Sequence, residues 1–256
     1  MTLFLSLVLA AAAPPVPDLA RVRLVDLTHA FGADTLYWPT SPSAFELKTL
    51  HRGPTEAGYF YSAYAFCAPE HGGTHLDAPV HFALGRRAAD AVPLEQLVAP
   101  AVVVDVAAKT AADPVYRLTR DDVLEWEKRH GRIEAGTIVL LRTGWGRRWH
   151  DRKAYFGDDT AGDASKLRFP SYGVEAARLL LERNVAALGV DTASIDYGPS
   201  TDFAVHVVAN GADVPAFENV ASLEALPVRG AFVIALPMKI AGGSGGPLRI
   251  VALVPR

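Results

Sequence analysis

Three histidines and one aspartate fall within eleven residues of this chain: His71-Gly-Gly-Thr74-His75-Leu-Asp77-Ala-Pro79-Val-His81, with Phe82 following. Imidazole nitrogen and carboxylate oxygen are the donors that borderline-soft divalent cations take. The whole chain holds eight histidines in 256 residues, so three packed around one aspartate are more than an incidental polar turn. The chemistry this points to is a divalent cation held by the protein and used on a substrate.

The intervening residues say how the donors are presented. His71 and His75 would share a face of a helix, but Gly72 and Gly73 weaken a helix by about 1 kcal/mol each relative to Ala. Pro79 biases Ala78 toward extended geometry. The segment therefore reads as a glycine turn leading into a strand, on which His75 and Asp77 point to one side. The turn brings His71 back to complete a three-ligand site with an open coordination position. Four extended residues place His81 about 13 Å beyond Asp77, outside the first shell unless the chain folds at Pro79. A histidine facing the same cleft suits a general base.

Other candidate chemistry is weaker. Gly242-Gly-Ser244-Gly-Gly246 matches the nucleophile-elbow pattern literally, but no Asp or His follows it and a strand-to-helix turn is lacking; it reads as a glycine-rich turn between strands. Cys67, the single cysteine, reads as a small buried hydrophobe. Taken alone, His206 and Glu218 read as a satisfied helix histidine and a surface glutamate. Asp191, Asp196 and Asp202 read as turn and cap residues, with Asp191 near a strand end.

These groups need a frame. At 50% hydrophobic residues the chain has material for a substantial core. Its net charge of −3 and lack of a basic run give no reason to expect nucleic acid or an anionic membrane surface. Strands are expected at Val22–Leu27, Tyr59–Phe66, Ala101–Val106, Thr137–Leu141, Val185–Val190, Ala231–Leu236 and Leu248–Val254. A helix is expected from Asp121 to His130, with Thr119 as N-cap and Gly131 as stop. A second follows Ser171, with Val174, Ala177, Leu180 and Leu181 on one stripe. A shorter one runs from after Asp202 to Gly211 and carries His206. Arg147–Arg168, polar and rich in Gly and Asp, reads as a surface loop or lid. Strands with interspersed helices predict one mixed α/β domain over residues 21–256. Residues 1–20 stand apart. Thr2–Ala13 is apolar and precedes Pro14-Pro15, like a secretory h-region, yet the first basic residue is Arg21. A cleaved signal and a simple apolar extension both stay open, and with them an exported or a cytoplasmic location. The tract is too short to span a bilayer.

The run from His71 to Phe82 resembles the H-x-G-T-H-x-D-x-P-x-H-F pattern of the cyclase family of metal-dependent hydrolases, which includes bacterial kynurenine formamidases and isatin hydrolases. Asp26-Leu-Thr-His with Tyr37-Trp38-Pro39 resembles the family's opening segment. Gly189 to Asp196, the pair His206 and Glu218-Asn-Val, and the ending Pro237–Pro247 with Arg249–Val254 resemble later segments, in the right order.

This resemblance implies a swivelling β/β/α fold, commonly dimeric. It implies that His71, His75 and Asp77 bind one zinc ion, and that Asp77, His206 and Glu218 hold a second. It gives His81 the role of general acid and base, and Trp38 a contact with substrate. Tyr59 and Tyr61 would stack on an aryl group. The implied activity is hydrolysis of a carbon–nitrogen bond in a small aryl amide, most like an arylformamidase of tryptophan catabolism. The long segment from Trp38 to His71, its tract Gly58–Tyr64 and the apparent lid are similar instead to isatin hydrolases, which open a cyclic amide with manganese; a lactone is a related substrate. Glu218 favours the two-ion formamidase pattern. A non-catalytic metal-binding protein is the remaining reading, and His81 speaks against it.

Overall fold

Alternation along the short apolar runs decides the architecture. In Ala101–Val104 and Ile138–Leu141, successive side chains go to two different cores: Ala101, Val103, Ile138 and Leu140 to one, and Val102, Val104, Val139 and Leu141 to the other. A sheet buried on both faces is the arrangement that produces this split. The computed structural model describes residues 19–256, so the expected leader at Thr2–Ala13 lies outside the described residues.

The strands in chain order are β1 (Val22–Asp26), β2 (Glu46–Pro54), β3 (Phe60–Cys67), β4 (His75–Asp77), β5 (Val98–Asp105), β6 (Arg117–Leu118), β7 (Ile138–Arg142), β8 (Ser171–Tyr172), β9 (Ala187–Val190), β10 (Ala216–Glu218), β11 (Arg229–Pro237) and β12 (Gly245–Pro255). The helices are α1 (Leu94–Leu97), α2 (Ala107–Ala112), α3 (Arg120–His130), α4 (Arg152–Phe156), α5 (Val174–Glu182) and α6 (Ala204–Gly211).

One sheet runs β1-β12-β11-β5-β7-β9-β10-β4, and β4 also pairs with β12. The strands from β12 round to β4 therefore close on themselves, while β1 lies against the far end of β12, pairing Val22 with Pro255 and Asp26 with Val251. β5, β7, β9 and β10 are mutually parallel, and the pairings that involve β4, β11 or β12 are antiparallel. The inward faces make the first core; α3, α5 and α6 cover the parallel strands and make the second with Trp126, Leu180 and Val205.

The three expected helices form within two residues of the boundaries read from sequence. Thr119 and Asp122 make a reciprocal capping box at the start of α3, and Gly131 follows its end. The buried stripe of α5 holds Ala176, Ala177, Leu179 and Leu180.

Two expectations fail. Arg147–Arg168 is a surface loop only over residues 157–166. It contains α4 and buries Trp149, Tyr155, Phe156 and Leu167 in an aromatic cluster with Leu36, Trp145 and Phe169. Trp149 stacks on His29, with ring centroids 4.0 Å apart. Cys67 is exposed, because β3 pairs only with β2 in a hairpin whose residues are mostly open to solvent on both faces. Among the described residues no helix is long and apolar enough to cross a membrane.

Since Trp149 is 4% exposed, Trp149→Ala should lower the unfolding free energy by about 3–5 kcal/mol. A surface lid would give a loss within about 0.5 kcal/mol; urea denaturation of the two proteins distinguishes these.

Candidate metal centre

The glycine turn brings the donors together. Gly73 sits at φ +59°, in the left-handed region, and its N–H donates to the Leu36 carbonyl at 2.9 Å. A Cβ on Gly72 would fall 2.1 Å from the Tyr37 ring, so that position must be glycine for the turn to lie flat against the aromatic. The chain then enters β4, the three-residue strand between β10 and β12, with His75 opposite Glu218 and Asp77 opposite Ala216 and Gly245.

Around Asp77 the side chains converge. One of its oxygens lies 2.6 Å from His71 Nδ1 and 3.2 Å from His75 Nε2, and the other lies 3.1 Å from His206 Nε2. Glu218 closes the ring, 3.5 Å from His75 Nε2 and 3.2 Å from His206 Nε2. Two sets of donor atoms could each hold one ion: His71, Asp77 and His81, and His75, Asp77 and Glu218. His206, raised from helix α6, faces Asp77, which the two sets share, and Glu218.

His81 stands closer than the extended-chain estimate places it. Pro79 starts a 3-10 turn, Pro79–His81, which folds the chain back and stacks the His81 ring on His71 at 3.8 Å. Proline is favoured at such a first position because its fixed φ suits a turn and its missing N–H is not needed there. Tyr59 and Tyr61 go elsewhere, to the exposed hairpin. Trp38 does reach the site. It lines a cavity of about 330 Å³ together with Leu36, Phe82, Phe156 and Phe203, the four histidines and both carboxylates. Phe203 adopts φ +47°, uncommon for an aromatic residue.

Two partners lie outside the sequence-derived set. Asp196, read from sequence as a cap, accepts the backbone N–H groups of Val205 and His206 and also the His206 Nδ1–H at 2.7 Å. That bond leaves Nε2 of the neutral ring as the free donor atom. Ser244, in the glycine-rich turn, donates its hydroxyl proton to Glu70 at 2.5 Å and therefore accepts from His71 Nε2 at 2.8 Å. Its position in a five-residue glycine-rich run beside a site was the available signal; Asp196 had only its place ten residues before His206.

The electrostatics match a missing positive charge. Asp77 and Glu218 are both buried, and two carboxylates in so dry a place need compensation. Burial pushes the Asp77 carboxyl up, but the charge on His75 and the hydrogen bonds from His206 and His71 outweigh it and hold it well below the usual range. Burial and the adjacent Asp77 charge raise Glu218. Burial lowers His75, yet Asp77 and Glu218 bring it to about 9. Burial likewise opposes His206, whose bonds to Asp196, Asp77 and Glu218 raise it well above the usual imidazole value. His81 goes the other way, to about 4, chiefly by burial; Asp77 opposes this and the neighbouring histidines add to it. His75 Nε2 is buried with no hydrogen-bond partner. An orphaned imidazole nitrogen facing two carboxylates fits a divalent cation.

In the comparisons with known proteins, a family model described as "Putative cyclase" matches residues 25–197. An isatin hydrolase of Roseibium aggregatum is 34% identical over 250 residues, covering 92% of this chain and 93% of that protein. A kynurenine formamidase of Salinibacter ruber is 27% identical over 230 residues, covering 90% and 97%. Among solved structures, an isatin hydrolase bound to the product analogue thioisatinate superposes with a TM-score of 0.84 at 30% identity, covering 93% of this chain and 94% of that one. Isatin hydrolase A of Ralstonia solanacearum gives 0.81 at 35%, covering 91% and 92%.

With His75 protonated below about pH 9 in the cation-free protein, a cation must displace that proton to bind. Zn²⁺ loading is therefore expected to release protons at pH 7 and to weaken as pH falls. Calorimetry in buffers of different ionisation enthalpy measures this; loading without proton release would contradict the assigned donors.

Proposed function

We propose that this chain, which belongs to the cyclase family, is a metal-dependent hydrolase opening the amide bond of a neutral cyclic aryl amide of the isatin type. The observation that carries the choice is the lining of the cavity. It holds no Arg or Lys, and its acids are Asp77 and Glu218, both turned to the histidines. An α-amino-acid head group, such as that of N-formylkynurenine, would bring an ammonium and a carboxylate with no counter-charge to meet them. A flat uncharged ring meets Trp38, Phe82 and Phe203 instead, whose centroids lie 5.3 Å (Phe82 to Phe203) and 6.4 Å (Trp38 to Phe203) apart.

The ligand roles we assign are His71, His75 and Asp77 for one ion, and Asp77, His206 and Glu218 for a second, zinc or manganese. A bound cation polarises the amide carbonyl and lowers the pKa of a water molecule. His81, neutral at physiological pH, takes a proton as water adds to the carbonyl carbon. It returns that proton to the nitrogen as the C–N bond breaks, so the ring opens to an arylamine and a carboxylic acid, whose remaining proton passes to solvent and leaves a carboxylate. The aromatic wall holds the ring and keeps bulk water from the carboxylates.

The arylformamidase reading stands second. It is favoured by Glu218, which completes a donor set with His75 and Asp77, and by the kynurenine formamidase relatives. Metal-loaded protein should hydrolyse isatin with a kcat/KM about 100-fold or more above that for N-formylkynurenine, a gap expected when buried charges go unpaired. The reverse ranking overturns the assignment. In the same assay His81→Ala should retain its metal and lose about 100-fold or more in kcat; wild-type turnover would remove His81 from the mechanism.

We also propose a homodimer formed through the β2–β3 hairpin. Leu47, Leu50, Phe60, Tyr61, Tyr64 and Phe66 are exposed on it, and a lone two-stranded hairpin is only marginally stable in water. A monomeric mass by analytical ultracentrifugation at micromolar concentration would end this proposal.

A further inference from the structure

The orientation of His75 is decided outside the ring of ligands. Its Nδ1 lies 3.0 Å from the Gly73 carbonyl oxygen. A carbonyl can only accept, so Nδ1 carries the proton and Nε2 of the neutral ring presents its lone pair to the site. The Gly73 carbonyl is in turn fixed by the side-chain amide of Asn219, whose Nδ2 donates to it at 2.6 Å. Asn219 cannot turn over, because its Oδ1 accepts from the Tyr155 hydroxyl at 2.7 Å. The other acceptor near that hydroxyl, the Asp191 carbonyl, is farther away at 3.3 Å.

The backbone of Asn219 is equally committed. Its N–H donates to the Thr192 carbonyl at 2.9 Å, and its carbonyl accepts from Thr74 Oγ1 at 2.7 Å. Asn219 adopts φ +54°, the left-handed conformation that asparagine tolerates better than most residues. It directly follows Glu218 in the chain, so one residue ties the end of the Glu218 strand to the turn that aims His75. Tyr155 is fully buried, and Asn219 is 3% exposed.

We propose that Asn219 and Tyr155 are positioning residues for the metal centre: Asn219 holds the Gly73 carbonyl that orients His75, and Tyr155 acts through Asn219 by fixing its amide. Groups that hold a ligating histidine in this way typically set metal affinity by about 10–100-fold. The inference rests on the reading of this site as a cation site.

The test uses the full chain and Zn²⁺ alone, with the dissociation constant read by competition with a chromophoric chelator. Tyr155→Phe removes one oxygen and should weaken Zn²⁺ binding about 10-fold; Asn219→Ala should weaken it by about 10–100-fold. The double variant should bind no more weakly than Asn219→Ala, since Tyr155 acts only through that amide. In Zn²⁺-loaded wild type the His75 Nδ1–H should be protected from exchange with water by NMR, and in Asn219→Ala that protection should be lost. Variants that melt earlier but bind Zn²⁺ within twofold of wild type would show a purely structural role and overturn the proposal. If Asn219→Ala does not fold, Tyr155→Phe decides by itself. Wild type that binds no Zn²⁺ would end the cation reading together with this one, whereas wild-type binding with unchanged variants ends this inference alone.

Discussion

Two carboxylates, Asp77 and Glu218, are buried beside one another where the barrel closes. Like charges so placed repel, and burial strips them of water. Much of the surrounding structure answers that constraint. Imidazoles approach from the turn before β4, from β4 itself, from the 3-10 turn after it and from α6. Each of the three nearest, His71, His75 and His206, is held at its other ring nitrogen by Ser244, Gly73 or Asp196. The nitrogens facing inward are thereby left to a proton or a cation. Without the acids the histidines would have no reason to gather, and without the outer partners they would be free to rotate.

The same arrangement separates the roles of the histidines. His75 and His206 lie against the acids and are raised. His81, half-buried, stacks on His71 and meets His206 edge-on; it is far less compensated and is lowered to about 4. One type of side chain can thus serve both of the proposed roles, cation donor and neutral proton acceptor, within one cavity, distinguished by surroundings alone. The apolar wall of Trp38, Phe82 and Phe203 completes the site with a surface that suits a flat, uncharged ring.

What the sequence made legible follows from where the signal is local. The turn and strand from His71 to Asp77, the capped helix α3 and the amphipathic α5 each carry their pattern within a dozen residues, and each formed as read. β10 is three residues long, too short to show a period, although it carries Glu218. Arg147–Arg168 misleads because Trp149, Tyr155 and Phe156 are spaced among charged residues, so the core they build is visible only after folding. His81 misleads for a different reason: Pro79 both ends an extended segment and starts a turn, and only the tertiary setting chooses. The aromatic hairpin reads as a strand but not as an exposed one, since its aromatic side chains look like core although neither face is covered within the described chain.

The closure of the barrel has a consequence for how this protein fails. Only three residue pairs join β4 to β10 and three join it to β12, and those same residues present His75 and Asp77. Loss of that seam would break the circular continuity of the sheet and scatter the donors in a single event. Occupancy of the centre and integrity of the ring are therefore thermodynamically linked, because a species that binds only the closed form draws the population toward it. A cation bound at the proposed site would brace the cylinder along this narrow stave, and chelation would withdraw the brace.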